Sequence, residues 1–337
     1  MKKAVLFFQM FLVFAVVCGQ DIQFSQFYAS PLYLNPAFAG STGYSRVGVN
    51  YRNQWPGLDH SFNAFSAYGD TFLENRNSGL GFIVNGSRES LANLHNVEAG
   101  LLYSYRLRLG AARFLQAGAQ GSFVSRSGSF DKVILGSQLD IDRGVIIGGD
   151  NGFLGEPMRR FADLNTGLLY FSDKVWLGIS AHHLTRPNVS YLDQEDRLAI
   201  RYSMHGGIKF DLLPGAINDF LNNTQQERTL SFAFNYKQQG PFDQLDVGTE
   251  IYFEPILLGL WYRGLPSKGA LPNNEALVGL LGFSFVSGLD IGYSYDFTIS
   301  KLGWGNTGGA HELSARFVFM TPEQYKSKKS IFPGFRF

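Results

Sequence analysis

The chain has 337 residues, of which 45% are hydrophobic and 15% aromatic, with 29 Lys and Arg against 28 Asp and Glu. This balance of charge argues against a nucleic-acid-binding protein, which usually carries a basic excess. The 31 Phe, 16 Tyr and 39 Gly residues favour strands, membrane interfaces and tight turns. The composition therefore indicates a β-rich protein at a membrane rather than a partner of nucleic acid.

Residues 1–19 have the pattern of a secretory signal peptide. Two lysines supply the charged start, an apolar run covers residues 4–17, and cleavage is expected after Gly19. The run is short for a membrane-spanning helix. Cys18 leaves a lipoprotein signal as the alternative, although Val17 before it is larger than the small residue that such signals carry. Cleavage after Gly19 would leave a mature chain without cysteine, and so without disulfides.

Residues 20–43 are predicted to form an N-terminal arm. The segment is rich in aromatic residues but has no periodicity, and Pro31 and Pro36 interrupt any regular element. One interpretation is an ordered arm that lies against the inner rim or wall of a barrel. The other is a plug or a partner-docking segment.

Residues 44–320 are predicted to form an antiparallel, up-and-down transmembrane β-barrel. In the clearest segment, Leu289, Ile291 and Tyr293 alternate with Asp290 and Gly292, and successive side chains of a strand point to opposite faces. Fourteen strands are predicted, near residues 46–55, 61–71, 78–86, 94–109, 113–125, 161–171, 174–184, 198–213, 229–237, 245–254, 256–264, 275–286, 289–299 and 311–319.

The lengths of the connections support this count. An even number of strands is typical of a single-chain bacterial barrel, with short periplasmic turns and longer extracellular loops. Long connections follow the predicted strands 5, 7, 11 and 13, as both termini in the periplasm require. The fourteen-residue connection 214–227 departs from this pattern, and is interpreted either as a small periplasmic helix or as the result of a mis-paired strand.

The apolar face is predicted to meet lipid rather than the core of a soluble sandwich or propeller. The strands have the length of about ten residues that a tilted membrane strand needs. Aromatic residues that resemble an interfacial girdle crowd the strand ends: Tyr51, Trp55, Tyr103, Tyr105, Tyr236, Trp261 and Tyr262. Since the many charges on the other face would need near-perfect pairing in a dry core, a water-filled lumen is expected. Their mixed signs favour a structural network over a selective pore.

The sequence carries no recognisable catalytic or metal-binding pattern. His182 and His183 are adjacent in a predicted strand, so their rings should face opposite ways. Asp140, Asp142 and Asp150, in a long connection, do not have the spacing of a calcium loop. The sequence therefore predicts no enzyme, no cofactor and no metal site.

Two stretches carry a resemblance to a known family. The first is QDIQFSQFYASPLYLNPAFAG at 20–40 with RVGVNYRNQWPGL at 46–58, and the second is GYSYDFTISKLGWGNTGGAHELSARF at 292–317. In these stretches the chain resembles the PorP/SprF family of Bacteroidota outer-membrane proteins. The resemblance implies a fourteen-stranded barrel in the bacterial outer membrane, linked to the type IX secretion system and without enzymatic activity.

The resemblance also implies partners, because family members are associated with secretion or surface attachment of large proteins, including gliding adhesins. The implied partners are a secreted surface protein with a type IX C-terminal domain, periplasmic components of the secretion machinery, and membrane lipid. The motif positions transferred as candidate partner-binding residues are Gln26, Asn35, Pro36, Gly40, Tyr295, Asp296, Trp304, His311 and Glu312. A passive pore for small solutes is the alternative function.

Two further expectations concern the ends of the barrel. A secreted partner would meet either the extracellular connections 126–160, 185–197 and 301–310 or the lumen. Residues 321–337 follow the last strand and are expected in the periplasm, either as a disordered end or as a docking peptide for periplasmic machinery.

Overall fold

The computed structural model describes residues 21–58, 60–90, 93–128, 139–140, 145–146, 158–191, 195–212, 228–265 and 274–320. The predicted signal peptide, the connection 214–227 and the predicted tail 321–337 lie outside the described residues.

Among the described residues, fourteen antiparallel strands form one closed barrel, as the alternation predicts. The strands in chain order are β1 (Arg46–Gln54), β2 (Phe62–Leu73), β3 (Ser78–Glu89), β4 (Leu94–Gly110), β5 (Arg113–Ser127), β6 (Leu139–Asp140), β7 (Val145–Ile146), β8 (Met158–Ser172), β9 (Val175–His182), β10 (Arg201–Asp211), β11 (Arg228–Gln239), β12 (Phe242–Phe253), β13 (Ile256–Gly264), β14 (Asn274–Ser284), β15 (Leu289–Thr298) and β16 (Ala310–Val318). The pair β6–β7 is separate from the barrel.

The barrel closes between its first and last strands. β1 pairs with β16 over nine residue pairs, from Arg46–Val318 to Gln54–Ala310, and every other barrel strand pairs with its neighbours along the chain. A closed sheet satisfies its backbone hydrogen bonds internally, which is the condition for crossing lipid with strands.

The wall has an apolar outer face and a polar inner face. Leu101 is 74% exposed on the outside, and along β1 the exposed Val47 and Val49 alternate with the buried Asn50 and Arg52. This confirms the predicted orientation, with the apolar side chains outward where lipid would cover them.

The helices of the described residues are short. They are α1 (Pro31–Leu34), α2 (Trp304–Thr307) and the 3-10 helices Pro36–Phe38 and Glu74–Arg76. Within the described part of the chain, no helix is long and apolar enough to cross a membrane.

The eighth predicted strand is shorter than expected. The segment 198–213 forms a barrel strand only over Arg201–Asp211. Leu198 instead lies in the preceding connection, where its N–H donates to the Pro187 carbonyl and its side chain is buried. The connection folds back on itself through the Asn188–Arg197 bridge, so its apolar residues do not join the wall.

Candidate functional site

The segment before β1 runs inside the barrel. Leu32, Ala37 and Ala39 are fully buried, and the segment makes hydrogen bonds to inward-facing groups on many strands. We refer to residues 21–43 as the arm. The arm is ordered and lies against the inner wall, and its own apolar side chains form the centre of the buried core.

One end of the arm is held where β1 begins. The Gly40 N–H donates to Asp70 Oδ2 at 2.6 Å, and Arg106 Nη2 donates to the Gly40 carbonyl at 2.6 Å. Arg46 pairs with the same Asp70 carboxylate at 2.6 Å. A charge-assisted bond at each backbone group therefore fixes this turn of the arm.

Close packing holds the next residues. A Cβ atom at Gly118 of β5 would lie 2.5 Å from Ala37 Cα, closer than any side chain tolerates. Phe38 stacks on the His205 ring, with 5.5 Å between ring centroids, and meets Trp176 at 6.0 Å. The arm and the wall thus approach as closely as their backbones permit, and a glycine is required where they meet.

Asn35 caps this part of the arm and joins it to the wall. Its side-chain oxygen accepts from the Ala37 N–H at 2.8 Å, which starts the 3-10 helix. Its amide nitrogen lies 3.1 Å from the Leu168 carbonyl and 3.0 Å from the Ile179 carbonyl. The Asn35 side chain therefore satisfies hydrogen-bonding backbone groups of both the turn and the wall.

An ion network surrounds Ser25, further along the arm. The Asp296 carboxylate accepts from the Ser25 hydroxyl at 2.7 Å, from Arg52 Nη2 at 2.8 Å and from Arg263 Nη1 at 2.9 Å. Glu312 accepts from the Ser25 N–H at 2.6 Å. Both arginines also donate to the Ser25 hydroxyl, so the arm residue is the hub of the network.

The network continues into the wall. Arg263 pairs with Asp246 at 2.7 Å, and Lys237 lies 3.9 Å from the same carboxylate. Arg263 also lies 3.8 Å from Glu275, and both arginine side chains are only 2% exposed. The predicted water-filled lumen is wrong here, because the arm supplies the hydrogen bonds and packing that water would otherwise provide.

The other end of the arm is held by charge. Asp21 Oδ2 lies 2.7 Å from His183 Nε2 and 2.9 Å from Arg201 Nη1, and His183 Nδ1 lies 2.5 Å from Asp163. Burial disfavours the Asp21 carboxylate, but His183 and Arg201 hold its pKa well below the usual range. Burial likewise opposes the imidazolium, but Asp21 and the Asp163 hydrogen bond raise the pKa of His183 to about 9.

The predicted orientation of the two adjacent histidines is wrong. His182 ends β9 and lies 3.4 Å from the Leu34 carbonyl inside the barrel. His183 has left the strand with a φ of 61°, which turns its ring inward as well. The period-two argument does not apply after the strand has ended.

Trp261 also differs from its prediction as a girdle residue. It is 3% exposed and faces inward, where it packs edge-on against Phe27 at 5.1 Å and stacks on Tyr28 at 5.8 Å. Its neighbour Tyr262 takes the outward direction, since adjacent residues of a strand face opposite sides.

The structure divides the nine candidate residues into three groups. Gln26, Asp296 and Glu312 meet at the ion network, where the Gln26 N–H donates to Glu312 Oε1 at 3.1 Å. Asn35, Pro36 and Gly40 are buried where the arm meets the wall, as described above. The third group, Tyr295, Trp304 and His311, lies on the outer side: the Trp304 indole N–H donates to the Tyr295 hydroxyl, and the Tyr295 and His311 ring centroids are 4.9 Å apart.

Sequence reasoning missed three residues that connect the arm to the wall. Ser25, Arg263 and Asp21 are absent from the candidate residues, although each makes several ionic or hydrogen bonds between arm and wall. The alternation of its strand places Arg263 on the inner face, and this could have identified it as a candidate. The polar residues of the arm had no periodic signal at all.

A comparison with protein families identifies the chain. The family model described as "Type IX secretion system membrane protein PorP/SprF" matches residues 16–317. The chain belongs to the PorP/SprF family. Family membership and the closed barrel together place this PorP/SprF protein in the bacterial outer membrane. A comparison with curated proteins finds no match.

Several solved structures are similar to this PorP/SprF barrel at low sequence identity. Omp33 of Acinetobacter baumannii is 7% identical with a TM-score of 0.43, over 82% of this chain and 100% of that one. A Pseudomonas aeruginosa FadL homologue is 13% identical with a TM-score of 0.44, over 87% and 94%. A mutant of the monoaromatic hydrocarbon channel TodX is 12% identical with a TM-score of 0.43, over 86% and 92%.

Proposed function

We propose that this PorP/SprF protein serves type IX secretion as a closed barrel that helps to export, or anchors at the cell surface, a large secreted protein such as an adhesin. The partner carries a type IX C-terminal domain, and periplasmic components of the secretion machinery contact the same barrel. The observation that supports a closed barrel is the arm, which runs through the lumen and is bonded to the wall near both ends.

Two cavities that described residues line beside the arm are small. A cavity beside Asp21, Tyr33 and Glu98 measures about 30 Å³, and another beside Phe24 and Asn235 measures about 20 Å³. Each has room for only a few water molecules at most. The buried ion pairs around Ser25 lie across the path that a solute would take, which argues against the passive pore.

Conductance measurements test the closed state. The purified full-length protein, reconstituted in a planar lipid bilayer, is expected to show no steady open state. A general porin reconstituted in parallel shows that channels can be detected. A steady conductance of the intact chain would contradict the closed barrel and support the passive pore.

A secretion experiment tests the role of the barrel. Deletion of the gene is expected to remove at least one large secreted protein from the cell surface, and native outer-membrane pull-down with mass spectrometry should recover that protein with the barrel. If every large surface protein is still exported and attached after deletion, the proposal is wrong.

The connection between β15 and β16 offers a surface for such a partner. Trp304 is 56% exposed there, and Leu302 nearby is 47% exposed. Because tryptophan is enriched at the energetic centres of interfaces, Trp304→Ala should lower partner recovery about tenfold, corresponding to a loss of 1–2 kcal/mol. Leu302→Ala is the matched control and should have little effect. Equal recovery with both variants would exclude Trp304 as an anchor.

We propose finally that the barrel has no catalytic role of its own. The buried charges around Ser25 and Asp21 are engaged in ion pairs that join wall residues to one another and to the arm. Hydrolase activity in the pure, detergent-solubilised protein would contradict this view.

A further inference from the structure

The two ends of the arm lie at opposite ends of the barrel. Gly40 contacts Asp70 near the end of β2 and Arg106 near the end of β4. Asp21 contacts His183 directly after β9 and Arg201 at the start of β10. In an up-and-down barrel, β2 and β4 end on the side where β1 begins, whereas β9 ends and β10 begins on the other side.

Contacts between these two points follow the same course. The Ala39 carbonyl accepts from Ser104 near the side where β1 begins, and the Leu34 carbonyl accepts from Ser180 further along. Gln23 donates to Gln244 at 2.6 Å, near the start of β12 on the opposite side. The arm therefore passes through the barrel along its length and does not fold back to the rim where β1 begins.

The lengths of the connections show which side is outside. On the side where β1 begins, the connections 74–77, 111–112, 173–174, 254–255 and 285–288 are short, and 212–227 is the exception. On the other side lie the longer connections 55–61, 128–157, 183–200, 265–273 and 299–309, whereas 90–93 and 240–241 are short. Outer-membrane barrels have short periplasmic turns and longer extracellular loops, so Asp21 lies at the extracellular mouth.

We propose that the amino-terminal end of the mature chain lies at the cell surface. The predicted cleavage after Gly19 leaves one residue before Asp21. The new α-amino group would then be presented beside connection 183–200, although the arm joins β1 at the periplasmic rim. A partner at the cell surface can thus bind this amino-terminal end together with the extracellular loops.

The closed wall holds the arm inside the barrel. β1 and β16 pair over nine residues around the arm, and the arm is bonded to both of these strands through Arg52 and Glu312. Leaving sideways would require strand pairs to separate at the cost of their hydrogen bonds. The arm therefore cannot leave the closed barrel through its wall without breaking strand pairs.

Epitope accessibility on intact cells tests this placement. A hydrophilic epitope inserted between Gln20 and Asp21 should bind antibody on intact cells, with no gain after permeabilisation. An epitope between Lys301 and Leu302, in the β15–β16 connection, is the extracellular control. An epitope after Met320, beyond the end of β16, is the periplasmic control and should require permeabilisation. Heat-modifiable migration on SDS gels shows that each barrel has folded.

Labelling of the amino-terminal epitope only after permeabilisation, in a folded barrel, would overturn the proposal. Where that insertion prevents folding, a single cysteine inserted at the same point is a smaller probe. It would be the only thiol of the mature chain if the signal is cleaved after Gly19. A membrane-impermeant maleimide should then label it on intact cells, and labelling only after lysis would again overturn the proposal.

Discussion

The periplasmic and extracellular halves of the arm are held by different forces. In the periplasmic half, Ala37 and Ala39 approach the wall so closely that glycines are required opposite them. In the extracellular half, Ser25 and Asp21 are held by arginines, a histidine and carboxylates. Close packing fixes most of the first half, with charge-assisted bonds only at Gly40. The second half is fixed mainly by charge.

The two halves should therefore tolerate different substitutions and conditions. A close-packed contact is insensitive to pH and salt but cannot accept a larger side chain. A buried ion network accepts small changes of shape, but the loss of one member leaves a charge unpaired in a place without water. Three substitutions or conditions test whether the two halves differ in this way.

The largest effect is expected from Arg52→Met in the extracellular half. The change leaves Asp296 and Glu312 with an uncompensated negative charge, and breaking a buried pair typically costs about 3–5 kcal/mol. Chemical unfolding of the barrel in lipid vesicles measures the free energy of unfolding. Arg197→Met is the control, because Arg197 and Glu195 form an exposed pair, with side chains 56% and 61% exposed, and such pairs contribute about 0–1 kcal/mol. Equal losses in the two variants would mean that the buried network does not stabilise the barrel.

A smaller effect is expected from Gly118→Ala in the periplasmic half. The added methyl group would meet the Ala37 backbone, and overpacking of this kind costs about 1–3 kcal/mol. Gly121→Ala in the same strand is the matched control, since its nearest neighbour would be Leu164 Cδ2 at 3.9 Å. The apparent melting temperature from heat-modifiable migration should fall for Gly118→Ala alone. A similar temperature for both variants would contradict the close packing of the arm.

The smallest effect is expected from pH at the extracellular end. Because the folded pKa of His183 is about 9, above the ordinary value of about 6.5, its contribution is complete below about pH 6.5 and is lost as pH rises through 9. The Asp21 carboxylate, whose pKa is lowered, stays charged over this range. Arg201 continues to pair with Asp21, so only the His183 part of this ion cluster is lost.

The melting temperature of the wild-type barrel should therefore fall between pH 6 and pH 10. In His183→Gln, which cannot carry the charge, the fall should be smaller over the same range. An identical pH profile in the two proteins would show that His183 does not contribute through its charge.

The sequence predicts the wall better than the contents of the barrel. Val49 and Arg52 are correctly assigned to the outer and inner faces, since the assignment depends only on alternation within one strand. Trp261 is wrongly assigned because aromatic residues occur both in membrane girdles and in apolar cores, and composition alone does not distinguish the two. His183 is wrongly assigned because the strand ends at His182, two residues earlier than the predicted end at residue 184.

The candidate residues show the same division. Gln26 and Glu312 are taken from separate motifs near the two ends of the chain, and the structure brings them into contact. Neither motif identifies Arg263 as part of that site, because Arg263 reaches it from another strand. Contacts between residues on different strands are known only once the closed barrel places their side chains together.

By itself, the sequence determines the number of strands, the face that meets lipid and the side with the longer loops. These features follow from local alternation and from the composition of the connections, which need no knowledge of distant residues. The tertiary structure alone decides that the arm passes through the barrel, that close packing and the bonds at Gly40 hold it near one rim, and that charge holds it near the other. The physical reason is distance along the chain: Ser25 and Glu312 are 287 positions apart, and only the closed barrel places them in contact.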